Sequence, residues 1–113
     1  MTLLDLYNIL VEVGIPVSHY DVELENYPYI AYQELSTTYK YASGRAIRED
    51  IRVDVAHLTK QEFDPTLERL KAVLHKHKIG FTIFHVYDPD PKFKDIINRF
   101  ELTIYRDLES ETE

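Results

Sequence analysis

The chain has 113 residues, of which 44% are apolar, a size and composition typical of one folded domain. It contains no cysteine, which excludes disulfides, thiol catalysis and thiolate metal sites. Its net charge is -7, which argues against a phosphate-binding surface, and no apolar run is long enough to cross a bilayer. Part of the acidic excess lies in residues 107–113, which are predicted to be a frayed tail.

A first helix is predicted over residues 3–13, where apolar side chains recur at helical spacing. Thr2 caps its start with Asp5 as capping-box partner, and Gly14 followed by Pro16 ends it. Because the segment lacks a basic lead-in and carries acidic residues, we expect an ordinary helix and not a signal peptide.

Two strands are predicted next. Residues 28–35 alternate between two faces, and residues 47–58 place Ile51, Val53, Val55 and His57 on one face. The alternation indicates an antiparallel sheet with one buried side. Residues 37–42 are compatible with a short strand, a hairpin partner or a loop, and residues 36–50 as a whole are interpreted as an extended loop or arm.

The second helix has the clearest signals. Asp64 is a favourable cap, Pro65 occupies the first helical position, and Gly80 is expected to close the helix. A nearly all-apolar strand follows at residues 81–87, which predicts a central position in the sheet.

The last third predicts a turn, a helical turn and a strand. The prolines of residues 88–91 force the turn, and residues 92–97 could form one helical turn. Residues 98–106 then alternate as a final strand. The order predicts a single α+β domain over residues 1–113, with a mostly antiparallel sheet of four to five strands and two main helices packed on one face.

No motif for catalysis or cofactor binding is present. His75 and His77 point to different sides of a helix, whereas His57 and His85 could be neighbours if their strands pair. Two histidines without a third ligand make a weak metal site. Asp88 and Asp90 fit a turn better than an acid–base pair. We therefore predict no catalytic, cofactor or metal residues, and a protein that is not an enzyme.

Nine tyrosines suggest contact surfaces, because tyrosine combines an apolar body with a polar tip and is enriched at protein interfaces. Candidate interface residues in the uncertain stretch are Tyr39, Tyr41, Arg45 and Arg48. The alternative is that they stack bases and pair phosphates together with Lys40. The acidic residues around them and the negative chain favour a protein partner.

The order of segments resembles that of the tail terminator, or tail-completion (head–tail joining), proteins of tailed bacteriophages. The resemblance rests on a short helix ending at VGIPVSHYDVE, the strand YPYIAYQEL, the stretch IREDIRVDVAHLTK leading into DPTLERLKAVLHKHKIGF, and the closing YDPDPKFKDIINRFELTIYRD. It concerns layout and carries no active-site motif.

The resemblance implies a structural protein of a phage or prophage virion that forms a ring, usually of six copies, at the head–tail interface. Implied partners are the chain itself, the tail tube protein and the head connector protein, with assembly in the host cytoplasm. DNA would pass through the ring without specific binding, since acidic walls repel phosphates. Alternatives are a small ligand-binding or regulatory domain, with a pocket near His57, His85 and Tyr87, an enzyme with a dispersed site, and another head–tail connector component.

Overall fold

The computed structural model describes residues 1–20, 27–87 and 96–108. Its elements in chain order are α1 (Leu3–Val11), β1 (Val17–His19), β2 (Tyr29–Ala42), β3 (Arg45–Thr59), α2 (Pro65–Lys76), β4 (Phe81–Tyr87) and β5 (Ile96–Asp107). Within this described part, neither helix has the length and apolar character needed to span a membrane.

The five strands form one sheet in the order β1-β2-β3-β5-β4. The β1–β2 pair is parallel and the other three pairs are antiparallel. The predicted α+β class with a mostly antiparallel sheet is therefore confirmed. The central position predicted for residues 81–87 is wrong, because β4 is an edge strand.

Both helices cover the same face of the sheet, and the core lies between these two layers. Its fully buried side chains come from the stripes of α1 and α2 and from alternate positions of the strands, among them Leu6, Leu10, Ile30, Val53, Val55, Leu70, Leu74 and Phe100. The alternation read from residues 51–55 and 100–104 is confirmed. The single buried side predicted for the sheet is wrong at Ala56 and Leu58, which lie on the opposite face and are also buried. At about 1.5–3 kcal/mol for each buried large apolar side chain, this layer dominates the stability of the fold.

The ends of the helices follow local signals closely. The Thr2 side chain accepts a bond from the Asp5 backbone N–H, and the Asp5 carboxylate accepts one from the Thr2 backbone N–H, which completes the predicted capping box. Gly14 has a positive φ of 86°, as its role after α1 requires. The predicted ending of α2 at Gly80 is wrong: α2 stops at Lys76, and Lys78 takes the left-handed conformation with φ 59°.

Residues 36–50 are not a loop but the outer half of a long β-hairpin made by β2 and β3. Ser43 and Gly44 join the strands with φ values of 53° and 78°, the left-handed pair that a type I′ turn needs. The register shifts at Leu35 in β2 and near Ile47 in β3, which are bulges in an otherwise continuous ladder. A hairpin partner was one of the three alternatives predicted for residues 37–42, and it is confirmed, whereas the loop predicted for residues 36–50 is wrong. The bulges interrupt the alternation that would have indicated one continuous strand.

Several sequence predictions concern residues that the structure does not describe. The turn at residues 88–91, most of the helical turn at 92–97 and residues 109–113 of the acidic tail fall outside the described residues. Ile96 and Ile97 belong to β5, and the frayed tail predicted from residue 107 is wrong at Asp107, which is the last residue of β5 and pairs with Arg48. Strand β1 was not predicted, since three residues between a glycine–proline stop and a polar segment give too short a pattern.

Candidate functional site

The outer hairpin, residues 36–50, is hereafter called the arm. A strand of 14 residues such as β2 spans roughly 46 Å, which accounts for the 55 Å long axis of a molecule only 25 and 22 Å across in the other directions. From Thr37 to Ala42 every β2 residue is exposed. The arm thus extends past the layer where the two helices meet the sheet.

Two of the four predicted interface residues present large exposed rings on the arm. Tyr39 is 45% exposed and Tyr41 is 68% exposed. A hydrogen bond to the Glu49 carboxylate on the opposite strand raises the pKa of the Tyr39 hydroxyl and fixes its polar end. Apolar ring surface is thereby left for a partner, which is the property that favours tyrosine in interfaces.

The two predicted arginines differ in their surroundings. Arg45 begins β3 directly after the turn and is paired with Ala42. Arg48 donates from Nε to Asp50 Oδ1 over 2.8 Å, and its guanidinium lies 4.9 Å from the centre of the Tyr105 ring. The Asp50 carboxylate and the Tyr105 ring therefore compensate the charge of Arg48.

The same compensation continues along the sheet face without helices. Arg99 donates to Asp54 over 2.7 Å, and Arg52 pairs with Glu101. Cations and carboxylates alternate across β3 and β5, so these arginines do not form the uncompensated basic stripe that phosphate binding requires. Among the cations of the base-stacking and phosphate-pairing alternative, Arg48 is paired with a carboxylate in this way.

A buried polar network joins the sheet to the start of α2. His57, Asn98 and His85 are in register on three neighbouring strands. The Thr66 hydroxyl donates to Asp64 Oδ1 over 2.8 Å, so it accepts from His57 Nε2, 2.7 Å away. With Nε2 protonated, His57 Nδ1 accepts from Asn98 Nδ2 at 3.4 Å. All links therefore run in one direction towards the Asp64 carboxylate.

Burial sets the charges in this network. His57 has no exposed surface, and the loss of water lowers its pKa, although the Asp64 carboxylate opposes the shift. Burial would raise the pKa of Asp64, but bonds from Thr59 and Thr66 outweigh burial and lower it. The network thus holds a neutral imidazole and an ionised carboxylate. With both ring nitrogens engaged and no exposure, His57 acts as a structural tie between β3 and α2.

The histidines are used separately or in pairs among the residues that the structure describes. His57 and His85 are brought together with Asn98 between them, and His85 Nδ1 lies 2.7 Å from Asn98 Oδ1. His75 packs on Phe81, whereas His77 contacts Glu12, so they are used separately as their spacing indicates. Within residues 1–20, 27–87 and 96–108, no three His, Asp or Glu side chains are grouped closely enough to hold an ion.

A second polar cluster fastens β1 to β2. Glu34 accepts from the Tyr20 hydroxyl and lies 2.5 Å from His19 Nε2. The His19 ring is stacked between Tyr20 and Tyr32, at centroid distances of 3.8 and 4.7 Å. Burial alone would raise the pKa of Glu34, yet the bonds from Tyr20 and His19 lower it. The cluster compensates for the short three-residue β1 strand.

The exposure of Phe63 was not predicted from the sequence. Phe63 precedes the Asp64 cap, is 91% exposed, and has a positive φ of 57° that is unusual for a bulky residue. The only sequence signal was an aromatic residue in a polar loop, KQEFDP.

A shallow pocket was also missed, because it forms across strands that are distant in sequence. Ala31 of β2 and Ala56 of β3 are partners in the ladder and face away from the helices. Their small side chains form a pocket of about 130 Å³ together with Leu58, Ile97 and others. This pocket is called the alanine hollow below.

The fold is a two-layer α+β sandwich with a long β-hairpin. No protein-family model and no curated protein matches the chain.

Proposed function

We propose that this chain is a structural protein of a tailed phage or prophage, which forms a ring that ends the tail tube and joins it to the head connector. The observation that carries the proposal is the arm, a preformed hairpin that extends past the helices and exposes Tyr39 and Tyr41. The layout that resembles tail terminator proteins supports the same assignment.

The charges of the described surface are consistent with this role. The chain is acidic overall, and the arginines Arg48, Arg52 and Arg99 are each paired with a carboxylate. A ring of such subunits would not retain DNA that passes through it, because free cations are what bind phosphates. Expected partners are other copies of the chain, the tail tube protein and the head connector protein.

The histidine region gives less support to a ligand-binding domain. Ligand pockets are concave and expose a few polar groups that orient the ligand. His57 is fully buried and bonded on both ring nitrogens, so it has no atom to offer a metabolite. The arm is the feature that the ring proposal uses and that a small ligand-binding domain would not require.

The test replaces the exposed rings of the arm. Tyr39→Ala with Tyr41→Ala should leave the free energy of unfolding within about 0.5–1 kcal/mol of wild type, because neither ring lies in the core. It should abolish capping of tail tubes made from the tube subunit of the same phage, as seen by electron microscopy, and reduce ring formation in light scattering. Arg48 is left intact, since its loss would disturb Asp50 and Tyr105.

The matched control is Leu4→Ala, which removes an apolar side chain that is 67% exposed on α1, close to the 68% of Tyr41. It should cap tubes normally. If the arm variant caps tubes normally, the arm is not needed for the function. If the wild-type protein fails to bind tubes or to form rings, the proposal itself is refuted.

A further inference from the structure

We infer that Asn98 couples the exposed His85 to the buried His57, so that only one of the two imidazoles can carry a positive charge at a time. A charged His85 thereby keeps His57 neutral when the surroundings acidify, and the bond between His57 and the start of α2 is preserved. The inference concerns the stability of the fold and does not depend on the proposed ring.

The first step is the position of Asn98 between the two histidines. Asn98 lies on β5 and is the ladder partner of His57 on β3 and of His85 on β4. It is 3% exposed, so its amide depends on these neighbours for hydrogen bonds. Its Nδ2 lies 3.4 Å from His57 Nδ1, and its Oδ1 lies 2.7 Å from His85 Nδ1. One side-chain amide therefore serves both rings, with its nitrogen towards His57 and its oxygen towards His85.

The second step is the direction of the hydrogen bonds. The ionised Asp64 carboxylate can only accept, and it takes the bond from the Thr66 hydroxyl over 2.8 Å. Thr66 Oγ1 accepts from His57 Nε2, so neutral His57 carries its proton on Nε2 and accepts from Asn98 on Nδ1. The Asn98 oxygen is left to accept, so His85 donates from Nδ1–H. The tautomer of the exposed His85 is thus set by the buried carboxylate of Asp64.

The third step is the effect of a second proton on each ring. A proton added to His85 enters at Nε2, and the bond from Nδ1–H to Asn98 Oδ1 remains. A proton added to His57 enters at Nδ1, where it meets the Asn98 N–H group, and two donors repel. The conflict is relieved if the Asn98 amide turns over, which presents its oxygen to His57 and its nitrogen to His85. His85 must then accept on Nδ1, which a charged ring cannot do. The single amide oxygen can therefore stabilise one imidazolium and not both.

The fourth step is the charge around His57. On the α2 side the Asp64 carboxylate faces His57 and favours its protonated form, whereas burial opposes that form and lowers the pKa of His57. The next charged residues along α2, Glu68 and Arg69, are exposed. On the sheet side, the β2 partner of His57 is the apolar Ile30. Among the described residues of the sheet, Asn98 is thus the group through which His57 meets a second titratable side chain.

The fifth step is the charge around His85. Its described neighbours along β4, Phe84 and Val86, are apolar, and their side chains point to the other face of the sheet. Arg99 faces that side too, where it pairs with Asp54 over 2.7 Å. Since His85 is exposed, a proton from solvent reaches it without opening of the fold. Because burial opposes a charge on the inner histidine, the charge goes to the exposed ring.

The first measurement is the tautomer of His85, read by NMR from the ring nitrogen chemical shifts of the full-length protein above the range in which histidines titrate. We expect Nδ1–H, and on acidification only the Nε2 signal of His85 should move to the protonated position. An Nε2–H tautomer would overturn the inference, because Asn98 would then not be oriented by Asp64.

The second measurement is the proton affinity of His57 in the same spectra. His85→Val removes the donor to Asn98 Oδ1 and keeps a side chain that suits a strand, so the Asn98 oxygen becomes free for His57. The proton affinity of His57 should rise by about tenfold or more, as expected when a hydrogen bond to a charged group is gained. The matched control is His75→Ala, which removes another exposed histidine and should leave His57 unchanged. Equal behaviour of His57 in the two variants, including a ring that stays neutral in both, would overturn the inference.

A double-mutant cycle separates the amide from direct repulsion between two charges. Asn98→Leu keeps the volume of the side chain and retains both histidines, but it has no amide to turn over. In this background His85→Val should no longer alter the proton affinity of His57. An equal effect with and without Asn98 would show that the two charges act on each other directly, and the coupling through Asn98 would be overturned. If Asn98→Leu does not fold, the first two measurements decide.

Discussion

Replacement of Asp64 by alanine should destabilise the fold far more than loss of an ordinary helix cap. Asp64 is 6% exposed and accepts bonds from the Thr66 backbone N–H, the Thr66 hydroxyl and the Thr59 hydroxyl, at 2.9, 2.8 and 2.6 Å. Loss of the cap costs about 1 kcal/mol, and each buried hydroxyl left without an acceptor adds about 1–3 kcal/mol. Since the Thr66 hydroxyl can rotate, we expect a total of about 3 kcal/mol.

The measurement is urea unfolding at pH 7 followed by circular dichroism, with the slope unchanged and the midpoint lowered. Thr2→Ala is the matched control, because it removes the exposed cap of α1 and should cost only about 1 kcal/mol. Asp64→Asn keeps one acceptor oxygen and should lie between the two. If Asp64→Ala costs no more than Thr2→Ala, the buried network does not stabilise the protein in the way described.

Three further outcomes are expected. Because burial lowers the folded-state pKa of His57, the unfolded chain binds more protons than the folded one below about pH 6.5, and the free energy of unfolding should fall on acidification by up to about 1.4 kcal/mol per pH unit. The contribution of His57 is the difference between the pH dependence of the wild type and that of His57→Gln. If the two proteins have the same pH dependence, this expectation is wrong. Gly44→Ala should cost about 1–2 kcal/mol in the same assay because φ is 78°, whereas Gly80→Ala, with open space around it and no positive φ, should be nearly neutral; equal costs would argue against the type I′ turn. Glu34→Gln should lower the free energy of unfolding by about 1 kcal/mol or less at pH 7. Because the folded-state pKa of Glu34 is lowered, this difference should vanish as the pH falls through that pKa. A difference that persists at pH 2 would show that the hydrogen bond from Tyr20 does not depend on the charge of Glu34.

The sequence predicted the parts of the fold that depend on local periodicity and caps. The stripes of α1 and α2, the Thr2 and Asp64 caps, and the alternation of β3 and β5 all follow from spacing alone. Strand order does not follow from it. The apolar run of β4 indicated a central strand, yet β4 lies at the edge with Phe84 half exposed, because local apolarity does not report which neighbours a strand acquires.

The candidate site was predictable only in part. Tyrosines in a polar stretch correctly marked an exposed segment, but the hairpin conformation depends on pairing between strands and on two bulges. His57 and His85 were expected to be neighbours if their strands paired; Asn98 of β5 stands between them, since β3 and β4 each pair with β5. The alanine hollow joins β2 and β3 with β5, and no local pattern reports such a long-range combination.

The hydrogen-bond ladder continues to the Ser43–Gly44 turn. This order affects both the entropy that residues 36–50 lose on binding a partner and the rate at which they dissociate from it. A floppy segment must give up roughly 1–2 kcal/mol of backbone entropy for each residue that becomes fixed on contact. In this hairpin the backbone is already ordered by folding, so less conformational entropy is lost on binding and the affinity for a partner is higher. The resulting complex should dissociate slowly. A subunit with this property would attach in one step and stay attached.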